Sequence, residues 1–353
     1  MALALSLARR GLGRVWPNPS VGCVIVDRDG HVAGRSRTQD GGRPHAETEA
    51  LLEAGARARG ATAYVSLEPC AHHGQTGPCA QVLIDAGVAR VVSAVEDPDK
   101  RVAGQGHAML SAAGVGVHAN VLAAQAKALN EGFFSRITRG RPFVTLKLAT
   151  TLDGKIALST GESRWITGEQ ARAHAHLERA QHDGVVVGIG TALADDPELT
   201  CRLPGVRSAG PVRIVIDSKA RLPVSSKLAS SARATPVWAL SGSESVPLQA
   251  AGVKVLRVPV TAGGVDLAVA MKALGTQGLT RVLVEGGATL ASALLKLGLV
   301  DRLAWYRAPS LLGEGMSAVA SLGLTVIKDL PRFRHEETIR LGEDVLETYR
   351  PAT

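Results

Sequence analysis

His45, Cys70 and Cys79 are the side chains whose types and spacing are best suited to chemistry. One imidazole and two thiolates suit Zn²⁺, and three protein ligands leave a fourth position for water, which separates a catalytic zinc site from a structural one. Zinc lowers the pKa of its water toward about 7. Glu47, two residues beyond His45, is near enough to take that proton and return it to a leaving amine without being a ligand. The H-x-E…P-C-x-x-C arrangement of zinc deaminases has the same parts. Here eight residues rather than two separate the cysteines. Two blander readings compete: a zinc clamp completed by His72 or His73, and buried cysteines that hold no metal. Glu47, Pro69-Cys70 and Pro78-Cys79 occurring together favour catalysis.

The elements that must position these groups follow from pattern. Pro44-His45-Ala46-Glu47 begins a helix that closes near Gly60, Leu67-Glu68-Pro69-Cys70 leaves a strand, and Pro78-Cys79 begins the next helix. The ligands therefore sit at helix starts on one sheet edge, where the positive helix end helps cysteines ionise. Around them the pattern predicts a helix over 2–10, a hairpin of 21–26 with 31–35, and strands over 62–67, 90–95 and 116–119. Helices over 78–86 and 105–113 alternate with those strands, and a helix over 122–134 follows. This is a mixed sheet covered by helices.

Arg139-Gly140-Arg141-Pro142 is the best boundary, giving domains 1–140 and 141–353. Strands then recur over 143–149, 184–190, 212–217, 237–240, 253–258, 281–285 and 302–308. Helices are expected over 167–179, 266–274 and 288–297, a second α/β domain. No G-x-G-x-x-G follows a strand, so a Rossmann fingerprint is absent. Instead Val284-Glu285 ends a strand and Gly286-Gly287 opens a helix, a junction that offers backbone N–H groups to a phosphate.

Composition fits this layout. The 353 residues are 45% apolar and only 3% aromatic, unlike a nucleic-acid surface of stacking rings. A formal charge of +8 is spread without long basic runs, which suits anionic small molecules better than a nucleic-acid tail. Four cysteines in so long a chain do not make a disulfide scaffold, and no stretch approaches the roughly 20 apolar residues of a membrane span. A cytoplasmic setting is expected, with no nucleic acid and no membrane as partners.

Pro17-Asn18-Pro19-Ser20-Val21-Gly22, His45-Ala46-Glu47, Leu67-Glu68-Pro69-Cys70-Ala71-His72-His73-Gly74, Pro78-Cys79 and Val102-Ala103-Gly104 recur in order along the first half. The second half carries Leu146-Lys147-Leu148, Leu152-Asp153-Gly154-Lys155-Ile156-Ala157, Trp165-Ile166-Thr167, Leu193-Ala194-Asp195-Asp196-Pro197 and Val284-Glu285-Gly286-Gly287. With these motifs the chain resembles the bifunctional riboflavin-biosynthesis deaminase–reductases over essentially its whole length, and the long cysteine spacing is that family's own pattern. The resemblance implies a cytidine-deaminase-like three-layer domain followed by a dihydrofolate-reductase-like α/β domain. It implies zinc-dependent hydrolysis of the 2-amino group of 2,5-diamino-6-(5-phosphoribosylamino)pyrimidin-4-one, then reduction of the ribosyl group to a ribityl chain with NADPH. A homo-oligomer is expected.

Carried over by matching position, Asn18 and His72 contact the deaminase substrate, and Lys147, Ser163, Arg179, Leu199, Arg202 and Glu285 the reductase substrate. Arg179 and Arg202 suit its phosphate, and Lys147 could assist the proton steps of ring opening. The same carry-over gives the NADPH site Ala149, Trp165, Thr191, Asp195, Ser218 and the run Gly287, Ala288, Thr289, Leu290, Ala291, Ser292 and Ala293. Without the resemblance, Arg179 reads as a helix-end surface charge and Leu199 as core. The chain departs from the family at Gln75, Gly77, Asp99 and Lys100, around the deaminase substrate's sugar-phosphate. Cys23 and Cys201 read as structural. The competing functions are a nucleoside or tRNA deaminase with a non-catalytic second domain, and a zinc-stabilised RNA-binding protein.

Overall fold

The computed structural model describes residues 1–72, 77–100, 102–206 and 210–352. They divide into two compact units, Met1–Gly140 and Arg141–Thr353.

In the first unit α1 (Ala2–Arg9), β1 (Gly22–Val26), β2 (Val32–Arg37) and α2 (Ala46–Ala54) lead to β3 (Thr62–Val65). Then come α3 (Cys79–Asp85), β4 (Arg90–Ser93), α4 (Gln105–Ala112), β5 (Gly116–His118), α5 (Ala123–Leu129) and α6 (Glu131–Arg139). The sheet runs β2-β1-β3-β4-β5, with β1 antiparallel to both neighbours and β3, β4 and β5 parallel. Ile25, Ala46, Ala50, Ala63, Val65 and Leu83 are among the residues that fill its core. Alanine predominates here because helix and sheet meet at very short range. A Cβ on Gly34 of β2 would lie 2.1 Å from the Ala50 carbonyl oxygen of α2. Gly34→Ala must therefore push α2, and His45 at its start, off the sheet. We expect a loss of about 2 kcal/mol in stability together with weakened zinc retention; an unchanged unfolding transition and zinc affinity would refute this.

In the first unit one helix differs from expectation. The helix predicted over 122–134 is two helices, broken at Asn130 with φ −101° and ψ 17°. Asn130 is buried, and its amide accepts from the Ser20 N–H and donates to the Ser20 carbonyl, both at 2.9 Å. That paired contact with the Pro-Asn-Pro-Ser loop replaces helix continuity.

The second unit runs β6 (Phe143–Thr150), β7 (Lys155–Ala157), α7 (Glu169–Gln181), β8 (Gly184–Gly188) and α8 (Ile189–Asp195). It continues through β9 (Val212–Ile216), α9 (Lys227–Ser230), β10 (Val237–Ser241), α10 (Val246–Ala250) and β11 (Lys254–Arg257). Next are the small hairpin β12 (Val260–Thr261) and β13 (Gly264–Val265), then α11 (Leu267–Thr276), β14 (Arg281–Val284) and α12 (Ala288–Lys296). β15 (Arg302–Arg307), β16 (Met316–Ser317), β17 (Phe333–Leu341) and β18 (Asp344–Pro351) close the chain. Nine strands form one sheet in the order β11-β10-β9-β8-β14-β6-β15-β18-β17, parallel from β11 to β15 and antiparallel beyond. The predicted strand over 184–190 stops at Gly188, where α8 begins. The hairpin of β17 and β18 was not foreseen. β17 is exposed on most of both faces, and β18 turns Asp344 and Thr348 inward, so neither shows apolar alternation.

Candidate active sites

His45 caps the N-terminus of α2 with extended backbone, and Cys79 is the first residue of α3. Cys70 lies in the loop after β3, and its sulfur accepts the Cys79 N–H at 3.3 Å, so it too sits at the start of α3. His45 Nδ1 is 3.2 Å from Cys79 Sγ and 3.8 Å from Cys70 Sγ. One donor atom from each residue falls within 4.8 Å of the others. Hydrogen bonding from Cys79 pulls the Cys70 thiol down to about 4, while the same contact and burial push Cys79 well up. The hydrogen bond to Cys70 raises His45. A convergent imidazole and two sulfurs is a donor set that fits Zn²⁺.

Glu47 sits in the first turn of α2 with 3% exposure, and burial, followed by the charge on Cys70, pushes its carboxyl up to about 7. It opens on a cavity of about 590 Å³, whose walls include Asn18, His72, Asp97, Asp99 and Phe133. The Asn18 amide nitrogen donates to the Gly42 carbonyl at 2.7 Å, which orients the side chain. Asp97, Phe133, Arg43 and Arg136 also line this cavity without having been foreseen as site residues; no short motif marks them, because loop and helix meet there only in the fold. His73 and Gln75 lie outside the described residues. Gly77 and Lys100 are exposed. Cys23 is fully buried, which pushes its thiol up and agrees with a structural role.

The second cluster is assembled from four elements. Glu285, just past β14, receives Arg179 of α7 in a two-point pair at 2.6 and 2.9 Å, with Lys147 of β6 at 3.9 Å. Burial would raise this carboxyl, but Arg179 and Lys147 outweigh burial and hold it at about 2. Arg179 also donates to the Thr200 carbonyl at 3.0 Å. Leu199 is buried with a positive φ of 55°, in the loop that carries Arg202 to an exposed contact with Glu198. Lys147 Nζ stands 5.8 Å over the Tyr306 ring, and the Tyr306 hydroxyl bonds His174 at 2.8 Å. Neither Tyr306 nor His174 was singled out from sequence.

Beside this cluster, Gly287 caps α12 and its N–H donates to Thr191 Oγ1 at 3.1 Å. A Cβ on Gly286 would press on Leu290 at 3.1 Å, so the turn into α12 needs the small residue. Ala149 and Ser163 are half-buried and Asp195 is exposed. Trp165 is 68% exposed, with Arg172 4.6 Å from its ring centroid. Ser218 Oγ accepts the Val265 N–H at 3.1 Å. Leu290, Ala291 and Ser292 are buried, and the Ser292 hydroxyl is engaged by Ala320, whereas Ala288, Thr289 and Ala293 are at least partly open. A helix start at the C-terminal ends of parallel strands, reached through two glycines, fits the phosphates of a dinucleotide such as NADPH.

Residues 1–95 match the cytidine and deoxycytidylate deaminase zinc-binding region, and residues 142–346 the RibD C-terminal domain. The chain is 44% identical over 357 residues to the riboflavin biosynthesis protein RibD of Escherichia coli (strain K12), covering 98% of this chain and 96% of that one. RibD of Acinetobacter baumannii (form 1) superposes with a TM-score of 0.92 at 39% identity, over 100% of this chain and 98% of that one. A diaminohydroxyphosphoribosylaminopyrimidine deaminase/5-amino-6-(5-phosphoribosylamino)uracil reductase of Thermotoga maritima gives 0.88 at 34% identity, over 100% and 97%.

Proposed function

The chain belongs to the RibD family of bifunctional deaminase–reductases of riboflavin biosynthesis, and from that premise we propose a role for each group in its two sites. The first unit is a cytidine-deaminase-like domain that uses zinc, and the second a dihydrofolate-reductase-like domain that uses NADPH. The observation that carries the residue assignments is the convergence of His45, Cys70 and Cys79 beside a buried carboxyl that faces a cavity.

His45, Cys70 and Cys79 hold zinc, which supplies an electrophilic centre that acidifies water. Glu47 takes one proton from water as oxygen adds to the pyrimidine carbon bearing the 2-amino group. It then returns a proton to the departing nitrogen, so that water and amine become carbonyl and ammonia. Asn18 reads the pyrimidine edge and His72 contacts the substrate. The substrate is 2,5-diamino-6-(5-phosphoribosylamino)pyrimidin-4-one, and the product is 5-amino-6-(5-phosphoribosylamino)uracil.

In the second unit bound NADPH would supply the hydride needed to reduce the ribosyl group to a ribityl chain. Gly287 to Ala293, with Thr191, Trp165, Ala149, Asp195 and Ser218, bind the cofactor, chiefly through the backbone at the start of α12. Arg179 and Arg202 meet the substrate phosphate, and Ser163 and Leu199 bound its site. Glu285 fixes Arg179 and Lys147 in place, and Lys147 delivers the proton that accompanies ring opening. We also propose a homo-oligomer in the cytoplasm that acts without nucleic acid or a membrane. Cysteine usage supports that compartment: two of the four sulfurs converge with His45 and none is in a disulfide. Among the described residues no helix is long and apolar enough to cross a membrane.

Metal removal tests the division of labour. Dialysis against a chelator should abolish ammonia release and leave NADPH oxidation with the deaminated substrate within about twofold of the untreated rate; added zinc should restore the first activity. Loss of both activities together would overturn it.

A further inference from the structure

Glu68 belongs to the Leu-Glu-Pro-Cys segment, yet no role for it follows from zinc chemistry. Its side chain is 4% exposed and is held almost entirely by backbone. Oε2 accepts from the N–H groups of Asp97 at 3.1 Å and Gly104 at 3.0 Å. Oε1 accepts from Gly106 at 2.9 Å and His107 at 3.3 Å. Gly104 caps α4, and Gly106 and His107 are its second and third residues. One carboxylate thus satisfies the positive end of α4 from 36 to 39 residues away and also holds the chain at Asp97. The approach is close. A Cβ on Gly106 would lie 1.9 Å from the Pro69 carbonyl oxygen.

Asp97, Asp99 and Val102 stand on the wall of the deaminase cavity. Both ends of the segment that carries them are therefore tied to a side chain two residues before the zinc ligand Cys70. We propose that Glu68 is a positioning residue that fixes the substrate wall of the deaminase cavity in register with the metal loop. It acts through backbone N–H groups, not by touching the reacting atoms. The proposal rests on the deaminase reading of this cavity.

Glu68→Gln keeps the volume but turns an amide N–H₂ toward two of the four donors. The result expected is zinc retained at one per chain, kcat within about threefold, and KM for the diaminopyrimidine substrate raised about tenfold or more, because binding geometry and not proton transfer is lost. Amide exchange at Asp97, Gly104, Gly106 and His107 should quicken by about tenfold, as expected for a lost hydrogen bond. Glu68→Asp keeps the charge one methylene short and should fall between wild type and Glu68→Gln in KM. If Glu68→Gln does not fold, as judged by fast exchange of the core amides of β1, β3 and β4, Glu68→Asp carries the same comparison. A wild-type KM with unaltered amide exchange would overturn the proposal, and so would loss of zinc and kcat with KM unchanged. Absence of deamination in the wild-type chain would instead refute the deaminase reading, while amide exchange would still decide whether Glu68 holds the loop.

Discussion

Glu47→Gln should lower the rate of ammonia release by about 10³-fold, or about 4 kcal/mol of barrier, while zinc stays bound. The side chain is buried in the first turn of α2, and Gln has nearly its shape, so packing is preserved. What is lost is the ability to accept a proton and give it back. Zinc content separates this from metal loss, because His45, Cys70 and Cys79 are unaltered. Reduction of the already deaminated substrate should be unaffected, since none of Arg179, Glu285 and Lys147 is touched. A variant that releases ammonia within about tenfold of wild type would remove Glu47 from the proton path, as general acid–base groups typically contribute 10²-fold or more.

Glu285→Gln should be the most damaging change in the second unit. Arg179, Lys147 and Glu285 expose only 15%, 19% and 11% of their side chains. Removing the carboxylate leaves two cations facing each other with little water, a change that costs about 3–5 kcal/mol in comparable buried pairs. Reduction should fall with it, because Arg179 and Lys147 lose the group that orients them. Acid gives an independent check. The Glu285 pKa is near 2 folded against an ordinary 4.5, so the folded state binds the proton less readily than the unfolded one. Its contribution is therefore complete above about pH 5 and is lost as pH falls toward 2, by about 3 kcal/mol in all. The stability gap between wild type and Glu285→Gln should shrink over that window. A gap that stays constant from about pH 6 down to about 2, a window that takes in the ordinary value and reaches the folded one, would contradict the pairing.

The two sites differ in how far the sequence discloses them. His45 and Glu47 are neighbours on one helical turn, and Cys70 and Cys79 flank a single short loop, so local spacing is enough to suggest zinc. The Arg179–Glu285 pair joins residues 106 apart, and from sequence alone Arg179 reads as a surface charge at a helix end. Only the crossing of α7 over the sheet buries it. Glu68 is similar: its identity is visible in Leu67-Glu68-Pro69-Cys70, but its four partners are backbone groups that no side-chain pattern announces. Core strands such as β8 and β14, short and apolar but for Arg281 at the start of β14, are legible by composition. β17 and β18 are not: β17 is a polar edge strand with no face to hide, and the inward face of β18 carries Asp344 and Thr348 on either side of Leu346. The reading of a deaminase with a non-catalytic second domain loses its ground where residues 142–346 match the RibD C-terminal domain.

The most direct test of two consecutive reactions in one chain follows NADPH oxidation in the Glu47→Gln variant with each pyrimidine in turn. With the diaminopyrimidine phosphate the variant should oxidise almost no NADPH, and with the deaminated pyrimidine it should match wild type. Wild-type oxidation from the diamino compound, or none from the deaminated one, would contradict the account.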